Sequence, residues 1–206
     1  MSERIYENNQ VEFVGEVSKE AVFSHEVYGE GFYLIELKAS RTSGYIDEIP
    51  VMVSERMCNM SDLHIGDRLK VTGQFRSYNL HEEKKNRLVL SVFARELEFL
   101  DDRQEGLDLN SVCLDGYICK EPIYRKTPLG REIADILVAV NRSYGKSDYI
   151  PCICWGRNAR FASTFEVGTH VQICGRIQSR EYVKKISDTE VENRVAYEVS
   201  VSKIEL

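Results

Sequence analysis

Aromatic and basic residues alternate through the second half of this chain, in a pattern suited to binding a polyanion that carries flat rings. Four aromatic residues stand there among cations: Tyr144, Tyr149, Trp155 and Tyr182. Such rings stack on the bases of a single-stranded nucleic acid while nearby cations contact its phosphates, without sequence readout. Tyr149 and Trp155 are six residues apart, so an unbroken strand would place them on one face, whereas a bulge at Pro151 would not. The alternative is that these rings belong to a hydrophobic core.

The distribution of charge favours the binding interpretation, although the chain as a whole is acidic. Lys and Arg number 27 against 33 Asp and Glu, a net charge of −6. Residues 120–185 nevertheless hold 12 basic and 6 acidic residues, while residues 1–105 hold 13 basic and 20 acidic. A solvated surface is the alternative explanation, but the clustering predicts a basic groove. The cations predicted to line it are Arg125, Lys126, Arg142, Lys146, Arg157, Arg176, Arg180 and Lys184.

No catalytic site, metal site or cofactor is predicted. The four histidines are isolated, and no Ser/His/Asp arrangement, paired-carboxylate motif or HExxH occurs. The six cysteines contain no CxxC pair, so we interpret them as small buried apolar residues. No apolar run approaches about 18 residues and residues 1–10 do not have the layout of a signal peptide, so we expect a cytoplasmic protein with no membrane association.

The elements that would position these residues are revealed by an internal repeat. Residues 9–53 align with residues 110–154 at a shift of 101, and 12 positions are identical, among them Gly15 with Gly116 and Pro50 with Pro151. After a slip of one residue, Gly73 falls on Gly175. The sequence therefore predicts two copies of one domain, residues 1–103 and residues 104–206.

Each copy has the pattern of three strands, a helix and two further strands. Apolar residues alternate with polar ones in the first strand of each copy, and strands follow at 32–39, 49–53, 133–141 and 150–155. Residues 157–166 have helical character, with Phe161 and Phe165 one turn apart. A small five-stranded barrel with a helix between its third and fourth strands is the OB-fold. We therefore predict an all-β protein of two tandem OB-fold barrels, with a short helix in each.

Four motifs of the second copy occur in the order seen in one known family. They are AVNR at 139–142, WGR at 155–157, VGxxVxIxG at 167–175 and RIQSREY at 176–182. Residues 110–206 resemble bacterial single-stranded DNA-binding proteins. The resemblance implies that the four base-stacking positions of that family fall on Tyr144, Tyr149, Trp155 and Tyr182, all of which are aromatic here.

The first copy departs from this pattern, since the four aromatic positions are replaced by Ser43, Glu48, Ser54 and Leu80. Tyr45 and Tyr78 stand nearby but out of register. We therefore predict a degenerate first OB-fold that has a mainly structural role or binds DNA weakly.

The expected function is sequence-independent binding of single-stranded DNA, mainly through the second copy, in replication, recombination or repair at the nucleoid. Family members with two OB-folds usually form dimers, so the resemblance implies a homodimer with four OB-folds. The chain ends in its last strand, without the acidic tail that recruits other enzymes in familiar members. The alternative is a primosome-like accessory or scaffold protein that acts mainly by contacting replication or restart proteins.

Overall fold

The computed structural model describes residues 8–82, 85–101, 109–185 and 191–206, apart from the side chains of 79–82 and 85–87. Within this part of the chain, almost all regular structure is β-strand. The strands of the first half are β1 (Asn9–Val17), β2 (Val22–Val27), β3 (Glu30–Ser40), β4 (Ile46–Ser54), β5 (Arg68–Glu82) and β6 (Lys85–Phe99). Those of the second half are β7 (Asn110–Ile118), β8 (Ile123–Lys126), β9 (Glu132–Asn141), β10 (Ser147–Trp155), β11 (His170–Lys185) and β12 (Val191–Glu205). One α-helix, α1 (Arg157–Ala162), and 3-10 turns at Met60–Asp62 and Ser143–Gly145 complete the described elements.

Five strands of each half close into a barrel with the same connectivity. In the first half the order is β3, β4, β6, β5 and β1, and β1 pairs again with β3 to close the ring. In the second half β9, β10, β12, β11 and β7 follow the same order, and β7 pairs with β9. The third and fifth strands of each barrel are parallel neighbours. This is the OB-fold topology, so the predicted fold of two tandem barrels is confirmed.

The alternation of apolar residues explains why these segments form barrels. Alternate side chains of a strand point to opposite faces, so one apolar set fills the interior. Phe13, Ile35 and Phe75 are fully buried in the first barrel, as are Ile173 and Ile177 in the second.

The two barrels join edge to edge into one sheet. Strand β1 pairs antiparallel with β7, with Val11 opposite Val112, and both side chains are buried. The predicted boundary between residues 103 and 104 lies outside the described residues, and the domain limits stay a prediction.

Several details differ from the sequence-based expectation. The helix of the second half ends at Ala162 rather than at Glu166, and in the first half a 3-10 turn occupies the corresponding place. Two short outer strands, β2 and β8, were not predicted. Strand β11 continues to Lys185, so Tyr182 lies within it.

The interpretation of the six cysteines as buried apolar residues is wrong for one pair, and Cys58 and Cys119 are only half-buried. Cys113 and Cys174 lie opposite each other on β7 and β11 and form a disulfide. Cys152 and Cys154 are buried thiols as expected, and burial raises the pKa of Cys154 to about 12. The error arose because the paired cysteines are 61 residues apart, and only the strand register brings them together.

Candidate nucleic-acid interface

Strand β10 places two of the predicted stacking residues on one outward face. The β9–β10 pairing runs without interruption from Ser147 to Trp155, so there is no bulge at Pro151. Tyr149 is 43% exposed and Trp155 is 38% exposed, while Ile150 and Cys152 between them are buried. Six residues of extended chain span about 20 Å, a length over which several nucleotides could lie.

Trp155 lines an open groove that also receives residues from the first half. We name it the Trp155 groove; its volume is about 580 Å³ and its aromatic and cationic residues are Arg41, Tyr45, Arg131, Trp155, Arg176 and Arg180. The indole Nε1 donates to the Ser200 hydroxyl oxygen at 3.2 Å, which fixes the edge of the ring. Trp155 is thus half-exposed at a strand end, beside cations, rather than in the core.

A carboxylate, that of Glu198, offsets part of the positive charge of the Trp155 groove. Glu198 is buried and accepts a hydrogen bond from Gln178 at 2.8 Å. Its other carboxylate oxygen lies 3.6 Å from Arg180. Arg180 is therefore positioned by a carboxylate but remains largely exposed to solvent.

A second groove, the Tyr144 groove, lies between the halves at a different place. Its volume is about 400 Å³, and its aromatic and charged residues are Arg76, Arg95, Arg142, Tyr144, Lys146 and Asp148. Tyr144 is 99% exposed and has a left-handed backbone, with φ of 61°. A positive φ is uncommon for a non-glycine residue, and such outliers often occur at functional sites.

The predicted site residues are thus divided among several places. The two grooves contain Tyr144, Trp155, Arg142, Lys146, Arg176 and Arg180. Tyr182 lies further along β11, beside Arg194, and Lys184 follows it on the same strand. Arg157 is exposed at the start of α1.

Two of the predicted cations lie elsewhere, on the outer strand β8. Arg125 and Lys126 were predicted to line the basic groove but belong to this strand, whose residues are all exposed. The Arg125 guanidinium is held by Asp135, at 2.8 Å.

Two equivalent ionic clusters link the halves, and residues of both clusters also line the grooves. Asp47 accepts hydrogen bonds from Arg41 at 2.6 Å and, across the junction, from the backbone N–H of Ser179 at 2.7 Å. Burial alone would raise the pKa of Asp47, but these hydrogen bonds outweigh it and lower the pKa. Arg41 therefore has a structural role as well as lining the Trp155 groove.

The second cluster repeats these residue types with weaker pairing. Asp148 accepts from the Ser77 backbone N–H at 2.8 Å, but Arg142 stands 3.4 Å away. Within the described residues, the facing Arg142 Nε and Asp148 Oδ2 make no hydrogen bond. Burial therefore dominates and raises the pKa of Asp148.

Sequence reasoning missed the contribution of the first half to both grooves. Arg41 and Tyr45 line the Trp155 groove, and Arg76 and Arg95 line the Tyr144 groove. The one available signal was Tyr45, which stood next to an aromatic position but out of register. Arg76 and Arg95 are isolated in sequence, and only the packing of the two barrels brings them to Tyr144.

The described residues provide neither a metal site nor a membrane-spanning helix. No group of histidine, cysteine or carboxylate side chains there has the arrangement needed to hold a metal ion. No helix in the described part of the chain combines the length and apolar character needed to cross a membrane.

The fold and these grooves define a tandem OB-fold protein with exposed aromatic and basic surfaces, and comparison with known proteins agrees. The model of the single-strand binding protein family matches residues 109–206. The second single-stranded DNA-binding protein of Listeria innocua is 35% identical over 94 residues, which cover 40% of this chain and 59% of that protein. Single-stranded DNA-binding protein B of Bacillus subtilis is 35% identical over 80 residues, 35% of this chain and 71% of that protein.

Solved structures extend the likeness to both halves. The crystal structure of the wild-type single-stranded DNA-binding protein of Thermus aquaticus superimposes with a TM-score of 0.73, covering 96% of this chain and 91% of that one, at 22% identity. This agreement concerns the fold. The chain belongs to the single-strand binding protein family. It spans 59% and 47% of the length of two of the curated relatives it matches.

Proposed function

We propose that this protein binds single-stranded DNA without sequence preference, mainly through its second OB-fold, and that it takes no part in catalysis. The observation that supports this most directly is Trp155, a half-exposed ring fixed at the end of β10 in a groove with Arg131, Arg176 and Arg180. Bases would stack on the aromatic faces and phosphates would contact the cations. The roles of Tyr144, Tyr149, Trp155, Tyr182 and the flanking cations are part of this proposal.

The energetics make both kinds of contact necessary. Base stacking contributes about 1–3 kcal/mol per base, while association costs on the order of 4–15 kcal/mol. A few stacked rings would therefore give weak binding unless phosphate contacts add to them. Because phosphate contacts release counterions, binding should weaken steeply with salt.

The cellular setting of this activity is also proposed. Family membership and the grooves favour a role in replication, recombination or repair at the bacterial nucleoid. We propose that two chains associate into a homodimer with four OB-folds. Once one chain has bound the DNA, the OB-folds of the other chain would be held near it at a high effective concentration, which would strengthen binding.

Titration with oligo-dT, followed through Trp155 fluorescence at low and moderate salt, tests the binding directly. Trp155 is the chain's single tryptophan, so saturable quenching that weakens with salt would place a base against it. Substitution of Tyr149 by alanine should lower affinity by about 5- to 150-fold, which corresponds to 1–3 kcal/mol. The dependence on salt should be unchanged, because no cation is removed.

The matched control is Tyr28→Ala, which removes a fully exposed tyrosine from the turn between β2 and β3. Affinity should match that of the wild type. An absence of both binding and quenching at low salt would disprove the proposed function, and the alternative of a protein-contacting scaffold would then be pursued. Equal losses in both variants would show that Tyr149 has no specific role.

A further inference from the structure

The first OB-fold carries an aromatic ring at the place where the second carries Trp155, but on a different strand. Phe93 on β6 pairs with Met52, and Ser200 on β12 pairs with Ile153 at the equivalent position. In the second barrel the ring stands on β10 and the serine on β12; in the first barrel Ser54 ends β4 and the ring stands on β6. The first barrel thus also has an aromatic residue on this face, but it is Phe93 on β6 rather than a residue at the end of the neighbouring strand β4.

The guanidinium groups of two arginines lie against the Phe93 ring. The guanidinium carbon of Arg76 lies 4.2 Å from the ring centroid and that of Arg95 lies 5.0 Å away. Arg76 also donates to Gln74 Oε1 at 2.7 Å. Cation–π contacts and a hydrogen bond therefore orient both guanidinium groups before any ligand arrives. The equivalent positions in the second barrel are Gln178 and Ser202, so this pair of cations is specific to the first.

These two arginines face the cations of the second half across the Tyr144 groove. Among the described residues that line it, Arg76, Arg95, Arg142 and Lys146 are basic and Asp148 is acidic. Asp148 is buried, lies 3.4 Å from Arg142 and also attracts Arg76, so it offsets part of this positive charge. The groove therefore has an excess of positive charge, with the Tyr144 ring fully exposed at its side.

We propose that the Tyr144 groove is a composite phosphate-binding site in which Arg76 and Arg95 of the first half bind the same single strand as the second half. Guanidinium groups suit this ligand because they hydrogen-bond phosphate oxygens and also stack on bases. This inference rests on the proposed function and extends it, because the acidic first OB-fold then contributes directly to the DNA path.

The test compares Arg76→Gln/Arg95→Gln with wild type by the anisotropy of labelled oligo-dT over a range of salt. Loss of two phosphate contacts should reduce the slope of log K against log salt by about 1.4 for a single strand. Quenching of Trp155 at saturation should be retained, because Trp155 lies in the other groove. The charge-conserving variant Arg76→Lys/Arg95→Lys should restore most of the slope.

The matched control is Lys19→Gln/Lys38→Gln, which removes two cations of the first half that pair with Glu36 and Glu16. Its slope should equal that of the wild type. Should the double arginine variant fail to fold, Arg95→Gln alone, at an exposed position, should reduce the slope by about 0.7.

A wild-type slope in the arginine variants, or an equal reduction in the lysine control, would overturn the composite site and leave the proposed function standing. Wild-type protein that neither binds nor shows quenching would overturn both.

Discussion

At the scale of single residues, two carboxylates at equivalent positions of the repeat have surroundings that shift their pKa values in opposite directions. Asp47 receives hydrogen bonds from Arg41 and Ser179, so its ionised form is stabilised in the folded protein. Asp148 receives one from Ser77 but is not hydrogen-bonded by Arg142 within the described residues, so its ionised form is disfavoured. The same residue types therefore produce pKa shifts of opposite direction.

These opposite shifts predict opposite dependences of stability on pH. The Asp47 contribution is present above the ordinary pKa of 3.8 and is lost as the pH falls through the lowered pKa. The Asp148 contribution is present below 3.8 and is lost as the pH rises through the raised pKa.

Asp47→Asn should therefore cost about 1.5–3 kcal/mol near pH 7, the range for hydrogen bonds to a charged group, and less near pH 3. The stability of Asp148→Asn relative to that of the wild type should increase as the pH is raised from about 3 to about 7. Urea unfolding of the three proteins at both pH values measures this. Parallel pH profiles for the two variants would contradict the assignment.

At the scale of elements, the glycines of the fourth strand of each barrel permit a close crossing. A Cβ on Gly175 would collide with the backbone oxygen of Ser200, and a Cβ on Gly73 with that of Phe93. Both glycines lie where the pairing with the last strand shifts register. The strands can approach closely at these bulges only because a side chain is absent.

Gly175→Ala should destabilise the protein by at least about 1–3 kcal/mol, as overpacking does. It should also shift the emission maximum of Trp155, since Ser200 accepts the hydrogen bond of the indole. Gly73→Ala should give a similar loss of stability while leaving the Trp155 emission unchanged. Urea midpoints and emission spectra of the two folded variants test this. An identical spectral change in both would refute the link through Ser200.

The elements were largely predictable from the sequence, whereas the grooves were not. Alternation and the repeat predicted the five barrel strands of each half because apolar periodicity directly reflects a buried face. Contacts between strands that are far apart in the sequence produce no comparable periodic pattern. The position of the Phe93 ring, the disulfide between Cys113 and Cys174, and the meeting of Arg95 with Tyr144 all depend on register and on barrel packing.

At the scale of the whole molecule, the two barrels form one continuous unit. Five residue pairs join β1 to β7, and Val11 and Val112 are buried in this junction. Further polar links cross between the halves, among them those from Ser179 to Asp47 and from Ser77 to Asp148. Opening the junction would expose apolar surface and leave buried polar groups unpaired, so neither barrel should unfold without affecting the other.

The whole chain should accordingly unfold in a single transition. Trp155 reports on the second half by fluorescence. Cys58, the one cysteine among residues 1–105, reports on the first when its labelling by a thiol reagent is followed separately from that of Cys119, Cys152 and Cys154, by mass spectrometry of the labelled peptides. Their midpoints in urea should coincide. Ser179→Ala, which removes the hydroxyl bonded to Asp47 at 3.0 Å, should lower both midpoints together. Two separate midpoints would show that the barrels are independent, and the grooves between them would then lack the rigidity that a shared binding path requires.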